Sequence, residues 1–449
     1  MPDFDVILIG AGPAGEHCAG RLAKGGLRVA IVERELVAGE CSYWACIPSK
    51  TLLRPGEALA AAREAPGARE AVTGEIAPTE AFAWRDFMVN DYDDSGQVKW
   101  LESEGIELIR GDGRIAGPGK VAVGDKTYTT SHIVVSTGSE PVIPPIPGLR
   151  GLDGIWTNRE VTALNEVPKR VIVLGAGPVG VEMGQALARL GSSVAIVESG
   201  EHVLSREPRP LGEALAEVLT AEGIDLHFGQ FASAVSRHGD QYEVEFEDGP
   251  ALRGDKLLVA TGRRARVEGI GLETVDIEPG KNGIEVDERM SAGDGVWAIG
   301  DVTGVWPMTY VGKYQGRVAA ANMLGHSRKA NYDAVPRVVF TDPQAAAVGE
   351  ADGPLTATVK LSEVARTATY TREYDKKPSF LTLVSDGEHL TGAYALGPDA
   401  GEWLQQATVA IRGRIPLDVF NDTIQPFPTF AEAFLHALLE LESKVPATA

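Results

Sequence analysis

Two cysteines with four residues between them, in Gly39-Glu-Cys41-Ser-Tyr-Trp-Ala-Cys46-Ile-Pro-Ser-Lys50, are the part of this sequence with the clearest capacity for covalent chemistry. The 449 residues hold only 3 cysteines, too few for a disulfide framework, so a close pair reads as catalytic rather than structural. Two unrelated thiols or half of a metal site are the alternatives. Zinc needs four ligands at usually tighter spacing, and only Cys18 remains, so no metal is expected. In a regular helix, residues five apart are too distant for a bond that needs Cα atoms within about 7 Å. A disulfide here therefore demands a distorted turn, and strain of that kind makes the bond easier to reduce.

A second class of chemistry is written twice. The apolar run Asp5 to Ile9 leads into Gly10-x-Gly12-Pro13-Ala14-Gly15, a helical stretch ending near Gly25-Gly26, and a strand from Arg28 to Val32 that ends at Glu33. Val171 to Leu174 leads likewise into Gly175-x-Gly177-x-x-Gly180, a helix to about Leu190, and a strand from Ser193 to Val197 ending at Glu198. Twenty-three positions separate Gly10 from Glu33, and the same number separates Gly175 from Glu198. Glycines let backbone approach a pyrophosphate, the helix start offers unpaired N–H groups, and the acid accepts from ribose hydroxyls. One such turn is weak evidence; two with matched spacing and context predict two bound dinucleotides. One held permanently and one exchanged is the layout of a flavoprotein that reads a nicotinamide cofactor, here FAD and NAD. Glu198 repels a 2′-phosphate, and Ser199, Gly200, Glu201 and His202 supply no arginine to receive one, so NADH is expected over NADPH.

The whole composition narrows the partners. Lys plus Arg number 42 against 63 for Asp plus Glu, a net charge of −21, which repels phosphate backbones and anionic lipid surfaces. Neither nucleic acid nor membrane is expected. Met1-Pro2-Asp3 has no basic segment and Val6 to Ile9 is too short for a signal sequence, so a cytoplasmic protein is expected.

These features together resemble the class I pyridine nucleotide-disulfide oxidoreductases, the family of glutathione reductase, dihydrolipoamide dehydrogenase and mercuric reductase. Cys41, Cys46, Ile47, Pro48, Ser49 and Lys50 match its C-x4-C-[IL]-P-[ST]-K signature. Ser136-Thr137-Gly138, Ala260-Thr-Gly262 and Ala298-Ile-Gly-Asp301 also look like family motifs, and the likeness covers nearly the whole chain. The resemblance implies that Cys46 is the thiol nearest the flavin and Cys41 the outer, exchanging thiol. It further implies that Lys50 pairs with Glu182 beside the flavin's reactive nitrogen and that Asp301 holds the ribityl chain. Cys18, within the first glycine-turn helix, reads as a small buried hydrophobe.

One departure matters. Disulfide reductases of the family carry H-P-T-x-x-E near the C-terminus, whose His is a general base in the partner subunit's active site; this chain has Phe427-Pro-Thr-Phe-Ala-Glu432. Phe cannot move a proton, and a positioned base is worth roughly 10²–10⁴-fold. Glu432 is left with no His to orient, and His436, one helical turn on, is expected to be a packed or surface residue. An apolar two-electron acceptor such as a quinone or dye, or a protein bringing its own base, is expected. The soluble transhydrogenases are similar in an aromatic before P-T and a Trp like Trp44, but they lack the second cysteine. With no cysteine after Cys46, mercury handling is disfavoured.

The resulting expectation is an α/β chain with two Rossmann-like domains and a C-terminal α+β dimerisation domain. The expected bounds are 1–151 and 283–330 for FAD, 152–282 for NAD(P), and 335–449 for the interface domain, with a homodimer implied by the resemblance. Electrons would pass from NADH through FAD to the Cys41–Cys46 disulfide and on to a disulfide or other small or protein acceptor. Direct flavin chemistry (quinone or dye reduction, or transhydrogenation) and a flavin-bound redox sensor with little turnover are the competing readings.

Overall fold

The computed structural model describes residues 1–364 and 377–444; parts of the expected C-terminal domain, 365–376 and 445–449, lie outside the described residues. The chain divides into two compact units. The first comprises Met1–Pro48, Ala83–Val142 and Gly262–Asn331, and the second Ser49–Phe82, Ile143–Thr261 and Tyr332–Ala449.

In the first unit the sheet runs in the order Ser291–Gly293, Val296–Ala298, Lys126–Val135, Phe4–Ile9, Val29–Glu33, Glu107–Arg110. All neighbours from Val296–Ala298 onward are parallel. Alternation along the central strands supplies two cores. Val6, Leu8, Ile31 and Val134 pack on one face with Cys18 and Leu22 of the first helix. Ile7, Ile9, Val32 and Ile133 pack on the other. A strand buried on both faces is why Val6–Ile9 reads as an unbroken apolar run, each side chain contributing about 1.5–3 kcal/mol on burial. The return to this unit begins at Gly262, ahead of the Gly283 read from sequence. Arg263–Ala265 already pairs with Ser139–Pro141, a polar ribbon with no apolar run to announce it.

The second unit holds a parallel sheet in the order Asp225–Phe228, Ser193–Glu198, Arg170–Leu174, Lys256–Val259. It also holds a five-stranded antiparallel sheet, Arg337–Val339, Gln344–Gly349, Leu390–Gly397, Phe380–Ser385, Leu355–Lys360. Helix Glu432–Lys444 buries Phe434, Ala437, Leu438 and Leu441 in the core of that sheet. The fold is the expected α/β class with two Rossmann-like sheets and a C-terminal α+β portion. No described helix is long and apolar enough to cross a membrane.

Candidate active site

The two glycine turns are built alike. Gly10 and Gly175 have φ of 104° and 100°, and a Cβ on either would lie 2.4 and 2.5 Å from the carbonyl oxygens of Ser136 and Ala260. A Cβ on Gly15 or Gly180 would strike the carbonyl oxygen of Gly10 or Gly175 at 2.2 and 2.0 Å, so the third glycine brings each helix down on its own turn. Gly12 and Gly177 differ: a Cβ there would meet nothing within 4 Å. Each is an extended N-cap with no side-chain cap hydrogen bond, leaving the N-terminal N–H groups of helices Pro13–Lys24 and Pro178–Arg189 for a ligand. That open cradle fits a pyrophosphate in both places. Ala14 packs where a Cβ on Gly300 or Gly312 would meet its own Cβ at 3.2 or 3.1 Å.

The two acids brace these turns. Glu33 accepts from the Ala11 N–H at 2.9 Å and the Glu35 N–H at 2.8 Å. Glu198 accepts from the Ala176 N–H at 2.8 Å and the Gly200 N–H at 2.7 Å. Beside the first turn, Thr137 donates to the Arg266 carbonyl at 2.7 Å, and Gly138, at φ 74°, leaves open space. Gly262, at φ 126°, does the same at the end of Lys256–Val259. Asp301 accepts from the Ser139 hydroxyl at 2.6 Å, and Ser139 in turn accepts from Arg263 Nε at 2.8 Å.

The cysteine segment lies against the first turn: a Cβ on Gly39 would come within 3.1 Å of Gly12 Cα, and Ala38 N–H donates to the Ala11 carbonyl at 2.8 Å. The helical turn Gly39–Tyr43 stops at Trp44, with φ −135°, and a new helix, Cys46–Glu64, starts at the second cysteine. This is the distortion that the spacing requires. It brings the thiols into a hydrogen bond with each other, and that bond is the main reason, ahead of burial, that the Cys41 thiol is pushed far above its ordinary range. Lys313 and the Thr309 hydroxyl act in the opposite sense. Cys46 Sγ lies 3.3 Å from Thr309 Oγ1, at a helix start where unpaired N–H groups favour negative charge on sulfur. Tyr43, Trp44 and Tyr92 form an aromatic cluster behind the pair. Burial drives the Cys18 thiol up to about 12, as befits an inert core residue.

One turn along the same helix, Lys50 Nζ donates to Glu182 Oε2 at 2.7 Å and lies 4.7 Å from the Phe340 ring centroid. Glu182 is 4 % exposed, far from a solvated helix residue, and its other oxygen accepts from the Phe340 N–H at 2.9 Å. Phe427 precedes Pro428 through a cis peptide and is 62 % exposed. Glu432 Oε2 is buried without a hydrogen-bond partner among the described residues, and His436 is exposed. Sequence reasoning missed Thr309, Ser139 and Glu40, which lies within ion-pair reach of Arg263 and Arg266 at 3.6 and 4.0 Å. Thr309 comes from a segment remote in the chain, while Glu40 and Ser139 adjoin Cys41 and Gly138 with no local pattern to give either a role of its own.

Two dinucleotide cradles and a dithiol at a helix start define a flavin- and nicotinamide-linked redox protein. The comparisons make this specific. The pyridine nucleotide-disulphide oxidoreductase model matches residues 4–320, and that family's dimerisation domain matches 335–438. The chain belongs to the pyridine nucleotide-disulphide oxidoreductase family. A dihydrolipoyl dehydrogenase of Thermus scotoductus is 33 % identical, with 97 % of each chain covered. A mercuric reductase of Acidithiobacillus ferrooxidans is 32 % identical over 96 % of this chain and 81 % of the relative. Among solved structures, the HOCl-induced flavoprotein disulfide reductase RclA of Escherichia coli superposes with a TM-score of 0.85 at 25 % identity, over 97 % of this chain and 99 % of that one. Like its family, this protein is an FAD-dependent oxidoreductase that uses NAD(P)H.

Proposed function

We propose that the chain is an NADH-preferring oxidoreductase that relays two electrons through Cys41 and Cys46 to a disulfide or other two-electron acceptor, working as a homodimer in the cytoplasm. The observation that carries this reading is the hydrogen-bonded thiol pair across the helix break, with Cys46 also bonded to Thr309. When bound, FAD supplies a carrier that accepts electrons in pairs from NADH.

The chain's own residues do the rest. Gly12 and the start of helix Pro13–Lys24 seat the flavin pyrophosphate, with Glu33, Thr137, Gly138 and Asp301 along the same groove. Gly177 and the start of helix Pro178–Arg189 seat the nicotinamide dinucleotide, and the Glu198 carboxylate disfavours a 2′-phosphate. Lys50, held by Glu182, would supply the positive charge that the family resemblance puts beside the flavin ring. In the exchange step Cys41 attacks the acceptor disulfide. The Cys41–Cys46 bond forms as the acceptor S–S bond breaks, and two electrons and two protons leave with the two acceptor thiols.

Anaerobic titration with NADH tests the relay: uptake of four electrons per chain, with two new alkylatable thiols, is expected. Uptake of two electrons and no new thiol sinks it. A second reading rests on Phe427, exposed at 62 % where the family has its His. This apolar surface suits a quinone or dye reduced directly, or transhydrogenation, and predicts that Cys41→Ser and Cys46→Ser retain most quinone turnover.

A further inference from the structure

The chain is acidic overall, yet one cavity of the first unit is strongly basic. It spans about 1240 Å³ between helices Pro13–Lys24, Ser95–Ser103 and Thr309–Met323 and the loop that follows. Arg21 and Lys24 reach it from the first helix, Lys313 and Arg317 from the third, and Arg328 from the loop, while Glu16 is the single carboxylate on its wall. Lys24 is paired with Glu104 at 3.4 Å. Arg21, Lys313, Arg317 and Arg328 have no ion pair among the described residues. Arg317 Nε is moreover buried without a hydrogen-bond partner, its guanidinium 5.5 Å from the Tyr314 ring centroid.

Converging, unpaired cations repel one another, and a buried guanidinium nitrogen with no acceptor is costly unless an anion completes it. The repulsion is felt locally: after burial, Arg21, Arg317 and Lys313 together lower the proton affinity of His17. Glu16, pushed up to about 7 by burial against the opposing pull of Lys313, is only about half ionised at neutral pH and offsets little of this positive charge. The opposite wall is aromatic. Gly20 has no Cβ, and one built there would lie 3.3 Å from Cζ2 and Cη2 of Trp100, so the indole lies close over the first helix and lines the cavity. A volume of this size is far more than a single phosphate fills and exceeds the roughly 300–1,000 Å³ of ordinary small-ligand pockets, leaving room for a whole nucleotide. The cavity shares only Pro13 with the first glycine turn and none of Gly10, Gly12, Gly15, Glu33, Gly138 or Asp301, so it is not the flavin groove.

We propose that this cavity is a third nucleotide site, taking a nucleotide with two or more phosphates, its phosphates on Arg21, Arg317 and Lys313 and its base against Trp100.

The test is calorimetric titration of the full-length holoenzyme with ATP, with and without saturating NAD+. The expected result is one ATP per chain whose affinity NAD+ leaves unchanged, weakened at least tenfold by the Arg21→Gln/Arg317→Gln double variant. Flavin content and NADH oxidation of that variant should match the parent, which shows the fold intact. Trp100→Leu should weaken ATP but not inorganic triphosphate. No ATP binding at millimolar concentration, displacement of ATP by NAD+, or equal binding by the double variant would overturn the site. Equal binding of ATP and triphosphate in parent and Trp100→Leu would overturn its assignment to a nucleotide.

Discussion

The Lys50–Glu182 pair is where the architecture makes its most quantitative demand. The ion pair is 2.7 Å long, with side-chain exposures of 35 % for Lys50 and 6 % for Glu182. Breaking a fully buried pair costs about 3–5 kcal/mol, because the surviving charge is left uncompensated. Solvent at the ammonium reduces this, and we expect Glu182→Gln to cost about 2 kcal/mol. Glu182→Ala should cost about 1–2 kcal/mol more, because the Phe340 N–H also loses the acceptor it holds at 2.9 Å. Lys50→Met leaves a buried carboxylate and should be no milder. The decisive measurement is a double-mutant cycle of parent, Lys50→Met, Glu182→Gln and the double variant, by urea unfolding of the holoenzyme followed through flavin fluorescence. A coupling of about 1–2 kcal/mol is expected. In parallel, stopped-flow reduction by NADH should slow about tenfold or more in each single variant, since a positive charge held near the ring favours the reduced, anionic flavin. A coupling under about 0.5 kcal/mol, together with unchanged reduction rates, would refute the reasoning: the pair would be neither a structural bond nor a charge-setting element.

Glu198→Ala should weaken NADH and lower thermal stability, because the carboxylate accepts from both Ala176 and Gly200 N–H groups; steady-state KM values should show it without NADPH reaching parity. Glu16 is expected to make stability depend on pH. Its carboxyl titrates near 7 folded against 4.5 ordinarily, so its contribution is complete below pH 4.5 and is lost as pH rises through 7, at most about 3 kcal/mol. Glu16→Gln should then be the more stable form at pH 8, and denaturant midpoints showing no such crossover between pH 5 and 8 would count against a desolvated Glu16. Phe427→His is predicted to raise turnover of small disulfides by about tenfold or more, with a new ionisation in the pH profile. No gain would mean that a proton acceptor at this position does not limit disulfide turnover.

The cradles were legible because their constraints are local. Gly10, Gly15, Gly175 and Gly180 are dictated by backbone approaches within one strand–turn–helix unit, and the matched spacing to Glu33 and Glu198 follows from the same short path. The cysteine pair was legible for a similar reason, since a helix cannot join residues five apart without breaking. What escaped depends on contacts between distant segments. Thr309 reaches Cys46 across more than two hundred residues. The interior strand Gln344–Gly349 carries no strand signal in the sequence, because Ala345, Ala346 and Ala347, buried on both faces, offer neither alternation nor β-branching; alanine's helix propensity points the wrong way, and pairing on both edges overrides it. Arg263–Ala265 escaped because a polar ribbon carries no apolar signal.

Because Glu33 and Glu198 each hold their own loop in shape through two main-chain N–H donors, both pockets exist as finished moulds before any nucleotide arrives. That arrangement restricts how preference between nicotinamide cofactors can drift. A lineage moving toward the phosphorylated form cannot simply discard the acid; it must first find another acceptor for Ala176 and Gly200. Any intermediate lacking one would suffer in folding before it gained in recognition, so a change at position 198 should arrive with compensating changes nearby rather than alone.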